Sequence, residues 1–173
     1  VLNELSQASK VTYSELLKLT PSPENDAVKS EMARVLFDNI KRDQQFEIQN
    51  QLLALSQQNE AQFDRLVQDL TTSFANDASL NPLTAKLLIA EIKAITEAIQ
   101  AEKDPVKRAQ LLAELNAKLA TLSPQHQQAA KQSVAIITAN YTKSDRLTNE
   151  LKAIDALWND SAKNQFIALT LNK

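Results

Sequence analysis

Residues 81–124 read NPLTAKLLIAEIKAITEAIQAEKDPVKRAQLLAELNAKLATLSP, and the punctuation of this stretch decides the fold. Asn81-Pro82, Asp104-Pro105 and Ser123-Pro124 each set a capping residue directly before a proline, and Ser22-Pro23 repeats the arrangement upstream. The cap's side-chain oxygen accepts from an otherwise orphaned backbone N–H. Proline loses nothing at the first helical position, because its missing N–H would have gone unpaired there. Four such internal starts predict five helical segments, at about residues 2–19, 23–74, 82–101, 105–122 and 124–171. Glu24 and Asp26 fall in the first turn of the second segment, where they favour the positive end of the helix dipole. Asn76 is the candidate for a left-handed C-cap after it.

The composition excludes much else. The chain has 173 residues, 43% apolar and 23% charged, with 19 basic against 21 acidic side chains, enough for one soluble globular domain with a core. There is no glycine, no cysteine and a single histidine. Phosphate-cradling loops, dinucleotide fingerprints and nucleophile elbows all need glycine, because a backbone carrying a Cβ cannot adopt their positive φ angles. Tight β-hairpins need it for the same reason. Without cysteine there are no disulfides or thiolate metal sites, which fits a bacterial periplasm and a cytosol alike. A first residue of Val1 reads as a processed chain or a piece of a longer protein. The apolar run Leu87-Leu88-Ile89-Ala90 ends at Lys86 and Glu91, far short of the roughly 20 residues that span a bilayer.

In the second segment, a seam with alternating spacings of four and three runs through Val28, Met32, Val35, Asn39, Arg42, Phe46, Gln49, Leu53, Ser56, Glu60, Phe63, Val67, Leu70 and Phe74. It is apolar at both ends and mixed in the middle. The fifth segment carries a similar seam through Val134, Ile137, Tyr141, Ser144, Thr148, Leu151, Asp155, Trp158, Ala162, Gln165 and Leu169. Leu83, Leu87, Ile92, Ile95 and Ile99, then Val106, Leu112, Leu115 and Leu119, read as plain core stripes on the short segments. At 1.5 Å per residue the long segments would reach roughly 80 and 70 Å and the short ones about 25 to 30 Å. The expectation is therefore an all-α, elongated antiparallel bundle, a single domain over residues 1–173. Two long helices are shared by two stacked modules, one of about residues 1–50 with 150–173, the other of about 51–149. A break at Trp158-Asn159-Asp160-Ser161 is the alternative to an uninterrupted fifth segment, since Asn, Asp and Ser cap well and extend helices poorly.

With long segments antiparallel, residue numbers at one height sum to about 200. Arg42 and Asp43 then meet Asp155 and Trp158, a cation, two carboxylates and an indole wall that could recognise an amine or a carboxylate. An Arg42–Asp155 ion pair that fixes register, with Trp158 as core, is the plainer reading of the same residues. Tyr141 falls near Gln57 and Glu60, with Arg65 or Arg146 on neighbouring turns, a second candidate pocket unless Glu60 merely satisfies the tyrosine hydroxyl. Tyr13 has the same status. His126 reads as an exposed helix-start histidine. It lacks a second histidine for a metal and a glycine-rich oxyanion turn for a serine nucleophile. No catalytic residue, metal ligand or cofactor is expected, and hence no enzyme. Basic residues are interspersed with acids, as in Lys41-Arg42-Asp43, so no cationic track for nucleic acid is present.

This layout of long and short segments resembles the extracytoplasmic all-helical sensor regions of bacterial chemoreceptors and sensor kinases, in particular the double four-helix-bundle type. The resemblance implies a periplasmic location with membrane anchors outside the chain, a small-molecule ligand or a periplasmic binding protein as partner, and a homodimer. It also implies that binding is passed on as a small helix displacement. The competing expectation is a structural or protein-interaction bundle, secretion-associated or tethering, whose polar seam residues only set register or recruit a partner helix.

Overall fold

Four of the five helices in the computed structural model, which describes residues 15, 18 and 22–171, begin where proline follows a capping residue. They are α1 (Pro23–Ala75), α2 (Pro82–Ala101), α3 (Pro105–Ala120) and α4 (Pro124–Leu157), with α5 (Asp160–Leu171) after them. The fold is all-helical, with no strand among the described residues. Tyr13 and nearly all of the predicted segment 2–19 lie outside them. The caps work as their chemistry dictates: Ser22 Oγ accepts from the Asn25 N–H at 3.1 Å, Asn81 Oδ1 from Leu83 at 2.8 Å, and Asp104 Oδ1 from Val106 at 3.0 Å.

Helix ends without glycine close by other means. No described residue has positive φ, so Asn76 is not the left-handed cap its position predicted. It continues the last turn, its N–H donating to Thr72 O at 3.1 Å, and the Asp77 N–H closes the end by donating to Phe74 O at 3.2 Å, while the Asp77 carboxylate accepts from the Ser79 N–H at 3.0 Å and the Ser79 hydroxyl at 2.6 Å in the turn that follows. After α3, the Gln127 amide reaches back to donate to Leu122 O at 2.6 Å and Ala120 O at 3.2 Å.

The predicted 124–171 segment is interrupted. Asn159 Nδ2 donates to Ala156 O at 2.8 Å at the end of α4, while its Oδ1 accepts from the Ala162 N–H at 2.9 Å at the start of α5. A single short polar side chain ends one helix and begins the next, which an uninterrupted seam reading could not accommodate.

The chain divides into two compact units, Leu53–Arg146 and Val1–Leu52 with Leu147–Lys173. In the first, Phe63, Leu66, Leu70 and Phe74 of α1 pack with Ile92 and Ile99 of α2, Leu115 and Leu119 of α3, and Ala130 and Ile137 of α4. Each such large side chain contributes about 1.5–3 kcal/mol by leaving water. Leu83, Leu87 and Val106, read from sequence as core, are exposed instead. At 100° per residue they fall on the outward faces, Leu83 and Leu87 opposite Ala85, Leu88 and Ile89 on α2, and Val106 opposite Leu112 and Leu115 on α3. In the second unit Ala33, Leu36 and Ile40 of α1 form a smaller cluster with Met32, Trp158, Phe166 and Ile167. In both units α1 runs antiparallel to the chain beyond Pro124. Ser73 faces His126, Asn59 faces Asn140, Gln45 faces Asp155 and Asp38 faces Lys163.

The heptad seam holds its phase only at one end of α1. From Phe63 onward its positions enter the core, but between Val28 and Asn39 the buried positions are each one residue later: Lys29, Ala33, Leu36 and Ile40. Val28, Val35, Phe46 and Leu53 are exposed. A seven-residue period keeps its face only along one continuous supercoiled core. Each unit has its own core, so the phase is set anew in each.

Candidate functional site

α3 places Arg108 one turn past its proline start, its N–H bonded to Asp104 O at 2.9 Å. There the side chain turns inward, toward α4. It is only 10% exposed and ion-paired to Asp145, which is 40% exposed. The guanidinium lies over the Tyr141 ring, 4.6 Å from its centroid. Burying a guanidinium costs several kcal/mol, offset here by a carboxylate on one side and an aromatic face on another. Tyr141 is half-buried. Burial pushes its phenol up from the ordinary value, while the Arg108 charge and a hydrogen bond from Asn59 act the other way. Asn59 is itself buried and accepts from Asn140 Nδ2 at 3.0 Å. The Phe63 ring supports Tyr141 from the core at 6.5 Å.

A cavity of about 310 Å³ opens beside this group between α3 and α4, its walls including Arg108, Leu112, Asn116, Thr138, Tyr141 and Asp145. A buried cation, a partly exposed anion and a half-buried phenol on the wall of one cavity form a polar recognition surface on a rigid helical frame.

Of the residues read from sequence, only Tyr141 lies in this group. Glu60 is exposed, and Asn59 is the residue that reaches Tyr141. Arg65 forms an exposed i,i+4 pair with Asp69 at 3.7 Å, and Arg146 is exposed, so the tyrosine's cation is Arg108. Near the other predicted pocket, Asp155 accepts from Gln45 Nε2 at 2.9 Å and lies 3.4 Å from Lys41 Nζ. Lys41 and Gln45 share a face four residues apart, whereas Arg42 is turned about 100° away and exposed. Asp43 is partly buried on the same helix. Trp158 is partly buried against the cluster of Ala33, Leu36 and Ile40, 4.8 Å from Phe37 between ring centroids.

Arg108 carried a signal in the sequence. Counting back from Leu119 through Leu115 and Leu112 by four, three and four reaches Arg108, an arginine in a core position, and leaves Val106 off the stripe. The same count from Ile137 through Ser133 and Ala130 reaches His126. That residue is the largest correction: 3% exposed rather than a solvent-facing helix start. Its Nε2 lies 2.9 Å from Asp77 Oδ2 and its Nδ1 2.6 Å from Ser73 Oγ, with the Phe74 ring edge-on at 4.6 Å. An ionised carboxylate only accepts, so Nε2 donates to Asp77.

Hydrogen bonds from Ser79, and next from His126, hold the Asp77 carboxyl below its ordinary range. A carboxylate with a lowered folded value adds stability that is complete above about pH 4, its ordinary unfolded value, and is lost as pH falls through the folded value. Thermal melts across about pH 2 to 5 should lose stability on acidification, and Asp77→Asn should flatten that part of the profile.

Among the described residues no group of three or more His, Cys, Asp or Glu could hold a metal ion, and no helix is long and apolar enough to cross a membrane. Compared with known proteins, the chain matches no family model, no curated protein and no solved structure.

Proposed function

We propose that this chain is the extracytoplasmic ligand-sensing region of a bacterial signal-transduction protein, a chemoreceptor or sensor kinase. It binds a small charged molecule beside Arg108, Tyr141 and Asp145 and passes binding on as a displacement between helices. The observation that carries the reading is the buried guanidinium itself. A well-packed apolar side chain would serve the core at least as well as an ion pair, so the Arg108–Asp145 pair, with Asp145 as its open end, is better explained by recognition than by stability. In this reading α1 and α4 are shared by two stacked modules of an elongated bundle, the layout of double-bundle sensor regions. The protein is periplasmic and non-enzymatic, uses no cofactor, and is anchored by segments outside this chain. Its partner is a small molecule or a periplasmic binding protein, and the chain can pair as a homodimer.

The exposed series Val28, Val35, Phe46 and Leu53 favours a second reading, a structural or protein-interaction bundle that recruits a helix rather than a small molecule. A thermal-shift screen against amino acids, polyamines, organic acids and oxyanions separates the two. Sensing predicts that at least one compound raises the melting temperature, because it binds only the folded state, and that Tyr141→Ala removes the shift. A silent screen from a chain that self-associates would transfer the case to the second reading.

A further inference from the structure

We infer that the cavity between α3 and α4 takes an aliphatic amine, its ammonium held by Asp145 and the hydroxyl oxygen of Thr142, one turn before it on α4. The inference rests on the reading of this cavity as a ligand site. The Thr138 and Thr142 hydroxyls on the wall have each spent their one donor on their own helix, and Asn116 has spent one of its two. The Thr138 hydroxyl donates to Val134 O at 2.9 Å, the Thr142 hydroxyl to Thr138 O at 3.1 Å, and Asn116 Nδ2 to Leu112 O at 3.0 Å. A hydroxyl that donates keeps its lone pairs, so what the two threonines offer a ligand is acceptors, while Asn116 keeps its oxygen and one N–H.

The charges point the same way. Arg108 and Asp145 form one pair, but the cation is 10% exposed and the anion 40%, so the negative partner is the one that meets solvent. An ammonium brings three donors and no acceptor, which suits a carboxylate with a hydroxyl oxygen one turn away. An anion would face the carboxylate and a row of lone pairs. The remaining wall, Leu112, Ala109 and Ala113, is apolar and suits methylenes. A cavity of about 310 Å³, on the order of ten waters' share of liquid volume, suits a short amine chain.

Calorimetric titration of the full chain at fixed salt tests this, with putrescine, succinate and alanine as amine, anion and zwitterion. Putrescine should bind and the other two should not. The Thr138→Val/Thr142→Val double variant, which keeps shape and loses only exposed hydroxyls, should weaken putrescine about tenfold or more. Asp145→Asn should abolish binding while a melting curve confirms that the variant is folded. Binding of succinate or alanine in place of putrescine, lost in Tyr141→Ala, would overturn the amine assignment and leave the ligand site standing. No heat from any probe would overturn both. Putrescine binding of unchanged affinity in the threonine and Asp145 variants would place the amine elsewhere and overturn the assignment.

Discussion

Leu36→Ala is expected to lower the unfolding free energy by about 2–5 kcal/mol, whereas Val35→Ala, one residue earlier, should change it by no more than about 0.5 kcal/mol. Leu36 is 0% exposed in the cluster with Ala33, Ile40, Trp158 and Phe166, and Val35 is 45% exposed. Truncating Leu36 removes transfer free energy and leaves a void that a cluster of this size, pinned by the Phe37–Trp158 and Phe37–Phe166 ring contacts, can only partly close. Truncating Val35 removes atoms that water already reaches. Denaturant titrations of both variants read the phase of α1 directly, because the heptad seam predicts the opposite order. Equal and small effects would mean that this cluster bears little of the fold's stability.

The second large effect concerns Asp145. Asp145→Ala should cost about 2–4 kcal/mol, because it leaves the Arg108 guanidinium buried without its carboxylate; the figure sits below the full cost of breaking a buried pair because Asp145 is partly open to water. Arg108→Met should cost no more than about 1 kcal/mol, since methionine keeps contact with Tyr141 and the freed carboxylate can hydrate. In the double variant, Arg108→Met should recover most of what Asp145→Ala loses, a coupling that a double-mutant cycle by urea denaturation measures. The asymmetry matters for function. A pair that can be replaced by methionine and alanine at little cost is not retained for stability, which leaves recognition as its role. Equal losses from both single variants would make Arg108 a structural tie.

What the sequence made legible was local. Ser22-Pro23, Asn81-Pro82, Asp104-Pro105 and Ser123-Pro124 each fix a helix start through contacts within four residues, so the chain announces them wherever it packs. Antiparallel pairing of heights was legible too, because the turns between α1 and α4 are short. The phase of a seam is not local. Val28 and Lys29 are equally helical, and only the helices that cover α1 decide which faces inward. The site is hard to read for a related reason: the polar positions on the longest seam, Arg42 and Glu60, are exposed. The informative residues were polar ones in phase with short apolar stripes, Arg108 before Leu112 and His126 before Ala130. A charge that interrupts a buried stripe must be paired, and the pairing, with Asp145 and Tyr141 here and with Asp77 and Ser73 there, arises only in three dimensions.

The most direct test of the central claim, that small charged molecules bind beside Arg108, is a nitrogen-15 spectrum of the arginine side chains recorded while amines, amino acids and organic acids are titrated in. One class of compound is expected to shift the Arg108 Nε–H signal together with the Tyr141 ring resonances, while Arg34, Arg42 and Arg65 stay in place. An Arg108 signal that no compound moves, or shifts gathered around Arg42 and Trp158 instead, would contradict it.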